Sequence, residues 1–523
     1  MSASTSAPLL PPLKHAWKGC ICQGTASEIL RADVQQHLRF LQKELGYRAI
    51  RFHATFHEDM GVVERAADGS LVFNWALVDK VYDFLVEVGF DPIVELNPMP
   101  ACMASGDKTF FFFKMNVTPP KVMAEWEQLV AATASHFIER HGLDRVRRWK
   151  FEVWNEPNLN NQFWSGTQEE YFELYAASAR ALKGVHPDLQ VGGPASAGGE
   201  MVHAFAAWCS ERGVPMDFFS YHYYPMAEYG QYPWREGSPF SPGQCFAEEF
   251  RKTRATLTEN GFGHIPHIIT EWNILHCGTN GKAKWVGSSD VVRLFGCAAV
   301  LHHNLHAEPH VDVLGYWTAS DVMHEARVTH RRYDDRNQHY GILNIAGEPK
   351  PAYHAFAFLK RLTGPRYDIQ LPAKPALADL IVTDETVSTR ALLWNFHMPE
   401  MKAQTWTGRL ALPLPPALAS AKQVRLATAL VTAGAGSAYE TWIALGRPAS
   451  LTRVDEEALR TAAWPRQASR YVEVIDGHAT LEFTLARDEV LFVETLPVES
   501  GVVMGTSAEI AALNHALEYP GAS

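Results

Sequence analysis

The chain has 523 residues, is 47% apolar and 20% charged, and carries a formal net charge of -11 at pH 7. A chain this long outgrows one small core, so two domains are the default. The acidic balance argues against a nucleic-acid partner, whose phosphates need a basic face, and no apolar run approaches the length of a membrane span.

The seven cysteines, Cys20, Cys22, Cys102, Cys209, Cys245, Cys277 and Cys297, are scattered and form no Cys-x-x-Cys pair. They read as reduced thiols in a cytosolic-type protein. The N-terminal MSASTSAPLLPPLKHAW lacks the basic start and apolar stretch of a signal peptide. A cytoplasmic location is expected, with leaderless or periplasmic export left open. Asn116-Val117-Thr118 is a formal glycosylation sequon, which carries no meaning without secretion.

The first two-thirds alternate strand-like and helix-like segments. Trp17–Cys22 is a short apolar run, and Val34, Leu38, Leu41 and Leu45 then repeat at helical spacing before Gly46. Tyr47–Phe52 is strand-like, and Val78, Val81, Leu85 and Val88 form a second helical stripe before Gly89. Pro92–Leu96 is a third strand. The aperiodic Asn97–Pro120, with Phe110–Phe113 inside it, reads as a functional loop. Helix-like Val122–Arg140 leads into Arg148–Val153, a stripe from Tyr171 to Leu182 into Leu189–Gly193, and Met201–Arg212 into Asp217–Tyr221. Ala247–Asn260 precedes Ile265–Thr270, Val291–His306 precedes Val313–Trp317, and a helix near Tyr353–Arg361 closes the series.

About eight strand–helix units predict an α/β fold, a (β/α)8 TIM barrel over residues 14–345. An open doubly wound sheet is the competing architecture, but Cys22-Gln23-Gly24-Thr25-Ala26 is no glycine-rich phosphate turn. Beyond about Gly364, alternating runs between Leu377 and Leu496 predict a C-terminal β-sandwich accessory domain, residues 346–523, pairing also with the N-terminal segment 1–13. His302, His303 and His306 read as a helix-surface cluster, since no Cys or carboxylate is spaced to complete a metal site.

Two strings carry the chemistry. WNEPN, Trp154–Asn158, and ITEWN, Ile269–Asn273, each place a glutamate at the polar end of an apolar strand. Barrel active sites lie at the C-terminal strand ends, and the count puts Glu156 after strand four and Glu271 after strand seven. Two such carboxylates are what glycosidic bond cleavage needs: one gives a proton to the leaving oxygen, the other attacks or supports the sugar carbon. Strict alternation would put Asn155 and Glu156 on opposite faces, so the strand must bulge or end there if both face substrate.

FEVWNEPNL (Phe151–Leu159) and TEWN (Thr270–Asn273) resemble the signature segments of glycoside hydrolase family 39, the β-xylosidases. The resemblance extends through RFH (Arg51–His53), Ala104–Pro120, VGGPA (Val191–Ala195), YWTASD (Tyr316–Asp321) and PKPAYHAF (Pro349–Phe356). It implies a retaining exo-β-D-xylosidase that acts on xylo-oligosaccharides, with Glu156 as acid/base and Glu271 as nucleophile. It further implies substrate or site contacts from His53, Asn155, His222, Tyr224, Trp317 and Glu325, and a cis peptide after Trp317. No cofactor, metal, nucleic acid or membrane partner is implied; the partner is a small carbohydrate. His324 stands where the family often has a second acidic residue, and Trp272 where relatives have Tyr; both are expected to line the site and affect sugar preference. An α-L-iduronidase or arabinose-releasing enzyme of the same type, or a non-catalytic sugar-binding barrel, are the alternatives.

Overall fold

A computed structural model describes residues 9–225, 240–274, 293–323, 333, 340–371, 374–398 and 401–498. They fall into two compact units, one within Ala16–Ser288 and His306–Gly347, the other within Met1–His15, Ser289–Leu305 and Glu348–Ser523.

The first unit is a closed parallel barrel. Its strands are β1 (Cys20–Thr25), β2 (Ala49–His53), β3 (Asp91–Leu96), β4 (Lys150–Val153), β5 (Gln190–Ala197), β6 (Phe218–His222), β7 (His267–Trp272) and β8 (Val313–Tyr316). Each pairs with its sequence neighbours, and β1 closes the ring against β8. Between successive strands run α1 (Ala32–Leu45), α2 (Ala76–Val88), α3 (Met123–His141), α4 (Gln168–Val185), α5 (Val202–Arg212) and α6 (Pro242–Glu259). Chain-local chemistry sets their ends. Gly46 and Gly89 close α1 and α2 at φ 73° and 100°, where a Cβ would be strained. Thr167 with Glu170, and Ser241 with Gln244, form reciprocal capping boxes at the starts of α4 and α6.

The aperiodic Asn97–Pro120 stretch is not structureless. It contains a small hairpin, Thr109–Phe110 against Met115–Asn116. Met115, Val117 and Phe163 form a small core beneath it, with Phe110, Phe111 and Phe113 packed on top. The Asn116 side chain is buried and tied to Gly106 and Thr118, so the sequon is spent on loop structure.

In the second unit α7 (Phe295–Ala307) begins and α8 (Pro351–Lys360) follows. Ser289–Leu305 thus packs with the β-rich unit, although the sequence division leaves it with the barrel. His302 and His303 are buried, with the His302 ring 4.9 Å from Phe396, so they are not a surface cluster. A helix this apolar has two faces to bury, and the imidazoles fill one of them.

Seven mainly antiparallel strands follow: β9 (Ala378–Asp384), β10 (Thr389–Asn395), β11 (Trp406–Pro413), β12 (Gln423–Val431), β13 (Arg466–Ile475), β14 (His478–Leu485) and β15 (Val490–Leu496). Their order is β9-β10-β15-β12-β13-β14-β11. Strand β13 pairs with β12 along its length and with β14 only at Val474 and Ile475, so the sheet folds over there. Leu393, Val424, Leu426 and Val493 from one layer meet Trp406, Leu410, Leu481 and Leu485 from the other in a single apolar core. This is the sandwich, and Leu10 bridges to Arg366 at its edge. No helix among the described residues is long and apolar enough to cross a membrane.

Candidate active site

Strands of a parallel barrel are buried on both faces, so a charge inside one must find a partner. Four strands break their apolar runs with such charges. Arg51 lies in β2, Glu95 in β3, Glu152 in β4 and Glu271 in β7, and Arg51, Glu95 and Glu152 are wholly buried. The Arg51 guanidinium gathers the set. Its Nε donates to Glu152 Oε2 at 2.5 Å, Nη1 to Glu271 Oε1 at 2.6 Å, and Nη2 to Asn155 Oδ1 at 2.8 Å. Nη2 also lies 2.8 Å from Glu95 Oε2. Surrounding carboxylates hold its pKa well above the ordinary arginine value despite the opposing effect of burial.

His53, at the end of β2, is clamped from below. Its Nδ1 lies 2.8 and 2.9 Å from the two oxygens of Glu95, and its Nε2 lies 3.6 Å from Glu271 Oε1. Asn97 braces Glu95 with its amide and accepts from the Ala54 backbone N–H at 2.8 Å.

The WNEPN segment shows why its residues are what they are. Strand β4 stops at Val153, and the backbone then enters the left-handed region at Trp154 (φ 71°) and Glu156 (φ 44°). Each such non-glycine residue costs about 1–2 kcal/mol. The turn breaks the alternation that would have sent Asn155 and Glu156 to opposite sides. Three contacts hold it. The Trp154 indole N–H donates to Phe163 O at 2.8 Å, the Glu156 N–H donates to Ala195 O at 2.8 Å, and the Asn158 side chain exchanges two 2.8 Å bonds with Ala197.

His222, the last residue of β6, stands between the two glutamates. Its Nδ1 is 2.9 Å from Glu156 Oε1 and 3.4 Å from Glu271 Oε2. Burial, with Arg51 and His53 nearby, pushes its pKa well below the ordinary value, so the ring is neutral and offers one N–H. The Tyr224 hydroxyl donates to Glu271 Oε2 at 2.9 Å. Burial and the charges of Glu271 and Glu156 raise its pKa well above normal, which keeps that donor protonated. Glu271 therefore has Arg51 on one oxygen and Tyr224 on the other. One oxygen from each glutamate and one ring nitrogen of His222 lie within 4.8 Å of one another. Glu156 is 9% exposed and Glu271 5%, so both are largely enclosed.

Trp317 follows β8, its ring 4.8 Å from that of His53, and the Trp317–Thr318 peptide is cis. The structure thus brings together His53, Asn155, Glu156, His222, Tyr224, Glu271 and Trp317. Glu325 and His324 lie outside the described residues. Trp272 does not line the site. Strand alternation turns Glu271 inward and Trp272 outward, where it packs against Phe246 of α6 and against Tyr316. The sequence reading overlooked Arg51, Glu95 and Glu152 as site residues. The signal was there: a charged residue in the middle of each apolar run, IRF, VEL and FEV.

A carboxylate pair at the C-terminal mouth of a β/α barrel, with aromatic and imidazole groups around it, is the arrangement of a glycosidase. The model of glycosyl hydrolases family 39 matches residues 5–480, and the chain belongs to that family. A β-xylosidase of Geobacillus stearothermophilus is 33% identical over 492 residues, 92% of each chain. One from Caldicellulosiruptor saccharolyticus is 33% identical over 457 residues, 87% of this chain and 89% of its own. The crystal structure of a monomeric β-xylosidase from Caulobacter crescentus CB15 superposes with a TM-score of 0.81 at 26% identity, covering 94% of this chain and 98% of that one.

Proposed function

We propose that this glycoside hydrolase is a retaining exo-β-D-xylosidase that removes xylose from the non-reducing ends of xylo-oligosaccharides. The observation that supports the retaining mechanism is the closeness of the two glutamates: an oxygen of each lies within 4.8 Å of the other, and both reach Nδ1 of His222, at 2.9 and 3.4 Å. Retaining enzymes hold their carboxyl groups about 5–5.5 Å apart, whereas inverting ones leave about 6.5–9.5 Å for a water. The choice of xylose rests on kinship with β-xylosidases over nearly the whole chain.

In this reading Glu271, oriented by Arg51 and Tyr224, attacks the anomeric carbon as the glycosidic C–O bond breaks. Glu156, the more exposed of the two, gives its proton to the departing oxygen. Water then enters, Glu156 takes its proton, and the new C–O bond replaces the ester to Glu271. Asn155, fixed by Arg51, is placed to meet the sugar 2-hydroxyl, and His53 and Trp317 to meet the ring. An iduronidase would have to neutralise a substrate carboxylate. Arg51 is not placed to do so, since it is wholly buried and its charge is already met by Glu95, Glu152 and Glu271.

The test is the first sugar anomer released from an aryl β-D-xyloside, followed by proton NMR. Early β-xylose is expected. Early α-xylose would sink the retaining mechanism, and cleavage of an α-L-iduronide but no xyloside would sink the substrate.

A further inference from the structure

Glu152 plays no part in the displacement above, yet it is wholly buried and charged. Its Oε2 lies 2.5 Å from Arg51 Nε, and its Oε1 has no hydrogen-bond partner among the described residues. A half-satisfied buried carboxylate is costly and calls for a reason. Glu95, the other carboxylate on Arg51 away from the mouth, already spends both oxygens on His53 and is braced by Asn97. Glu152 is committed to Arg51.

Arg51 paired with Glu271 alone would hold that carboxylate at low basicity, and a weakly basic carboxylate is a poor nucleophile. We propose that Glu152 is a positioning residue that divides the charge of Arg51 and so sets the basicity of Glu271. The proposal rests on Glu271 being the nucleophile. The titratable groups facing Glu271 or its partners include Cys22 from β1, His53 from β2, Glu95 from β3, Glu156 beyond β4, His222 from β6, Tyr224 beyond it and Tyr340 beside Tyr224, while Tyr171 from α4 faces Glu152. Replacing Glu152 leaves all of these in place.

The experiment is the pH dependence of kcat/KM on an aryl β-D-xyloside for Glu152→Gln and Glu152→Asp. Glutamine keeps an acceptor for Arg51 Nε but removes the charge, so the pull of Arg51 is shared by Glu95 and Glu271 alone and more of it falls on Glu271. The acid limb is expected to move down by about one pH unit, with formation of the glycosyl-enzyme slowed about ten-fold. Glu152→Asp, which keeps the charge, is expected to hold the wild-type limb. Should the glutamine variant not fold, Glu152→Met removes the same charge without placing an amide donor in a dry interior. A rate loss equal at every pH in the folded charge-removing variant, with the limb unmoved, would overturn the proposal. So would an aspartate variant whose limb moves as far. Failure of the underlying reading is separate: it appears in the wild-type enzyme, as a fluorinated xyloside that does not label Glu271.

Discussion

Arg51→Lys is the substitution whose outcome the site geometry defines most sharply. The charge survives but the planar fork does not. Arg51 serves Glu152, Glu271, Asn155 and Glu95 at 2.5, 2.6, 2.8 and 2.8 Å. An ammonium gathers its three donors around one point and cannot reach hydrogen-bond acceptors spread around a planar fork, so at least one of Glu152, Glu271 and Asn155 is left unserved. A buried acceptor stripped of a charged donor costs about 1.5–3 kcal/mol. We expect a stability loss of about 2 kcal/mol, read from the denaturant midpoint of the barrel transition. Loss of the same orienting bond to Glu271 lowers kcat/KM by about thirty-fold, taking about 2 kcal/mol at 1.36 kcal/mol per decade. Urea unfolding and aryl-xyloside kinetics measure the two effects. A variant with the wild-type midpoint and kcat/KM within two-fold would show that Arg51 does not organise the site.

Two further outcomes follow from particular contacts. Tyr224→Phe removes the donor on Glu271 Oε2 and should lower kcat by about ten-fold or more, measured on the same substrate, with little effect on the unfolding midpoint. His354 of α8 is wholly buried against Ala463 O at 2.8 Å, and burial pushes its pKa down to about 4. Its folded pKa lies below its unfolded one, so the unfolded chain takes up the proton first as pH falls. It therefore has no effect on stability above about pH 6.5 and destabilises progressively from there to about pH 4, by about 3 kcal/mol at most. His354→Gln should flatten that part of the stability–pH curve in thermal unfolding, and an unchanged slope would show that the ring is hydrated or charged.

The barrel was legible because each of its eight units carries its own punctuation, an apolar run followed by a helical stripe and often a glycine such as Gly46 or Gly89. The glutamates were legible because they interrupt strand ends. Arg51, Glu95 and Glu152 were not, because a charge in the middle of an apolar run reads as noise until the strands close and bring the charges together. Trp272 was misplaced for the opposite reason: its neighbour Glu271 belongs to the site, and adjacency along a strand means opposite faces. Strand β13 escaped notice because RQASRYVEVI is largely polar, and the helix Arg453–Ala462 before it is rich in charge. His302 and His303 show that a histidine cluster on a helix can be core, since imidazole rings pack against an aromatic such as Phe396 as readily as they meet water.

The central claim is that Glu271 forms the covalent bond to the sugar. Inactivation with a 2-deoxy-2-fluoro-β-D-xyloside bearing a good leaving group, followed by peptide mass spectrometry, tests it directly. The account predicts one fluoroxylosyl group per chain, on the peptide containing Glu271, and none in Glu271→Ala. A label on Glu156, or turnover of the inactivator with no label on the protein, would contradict it.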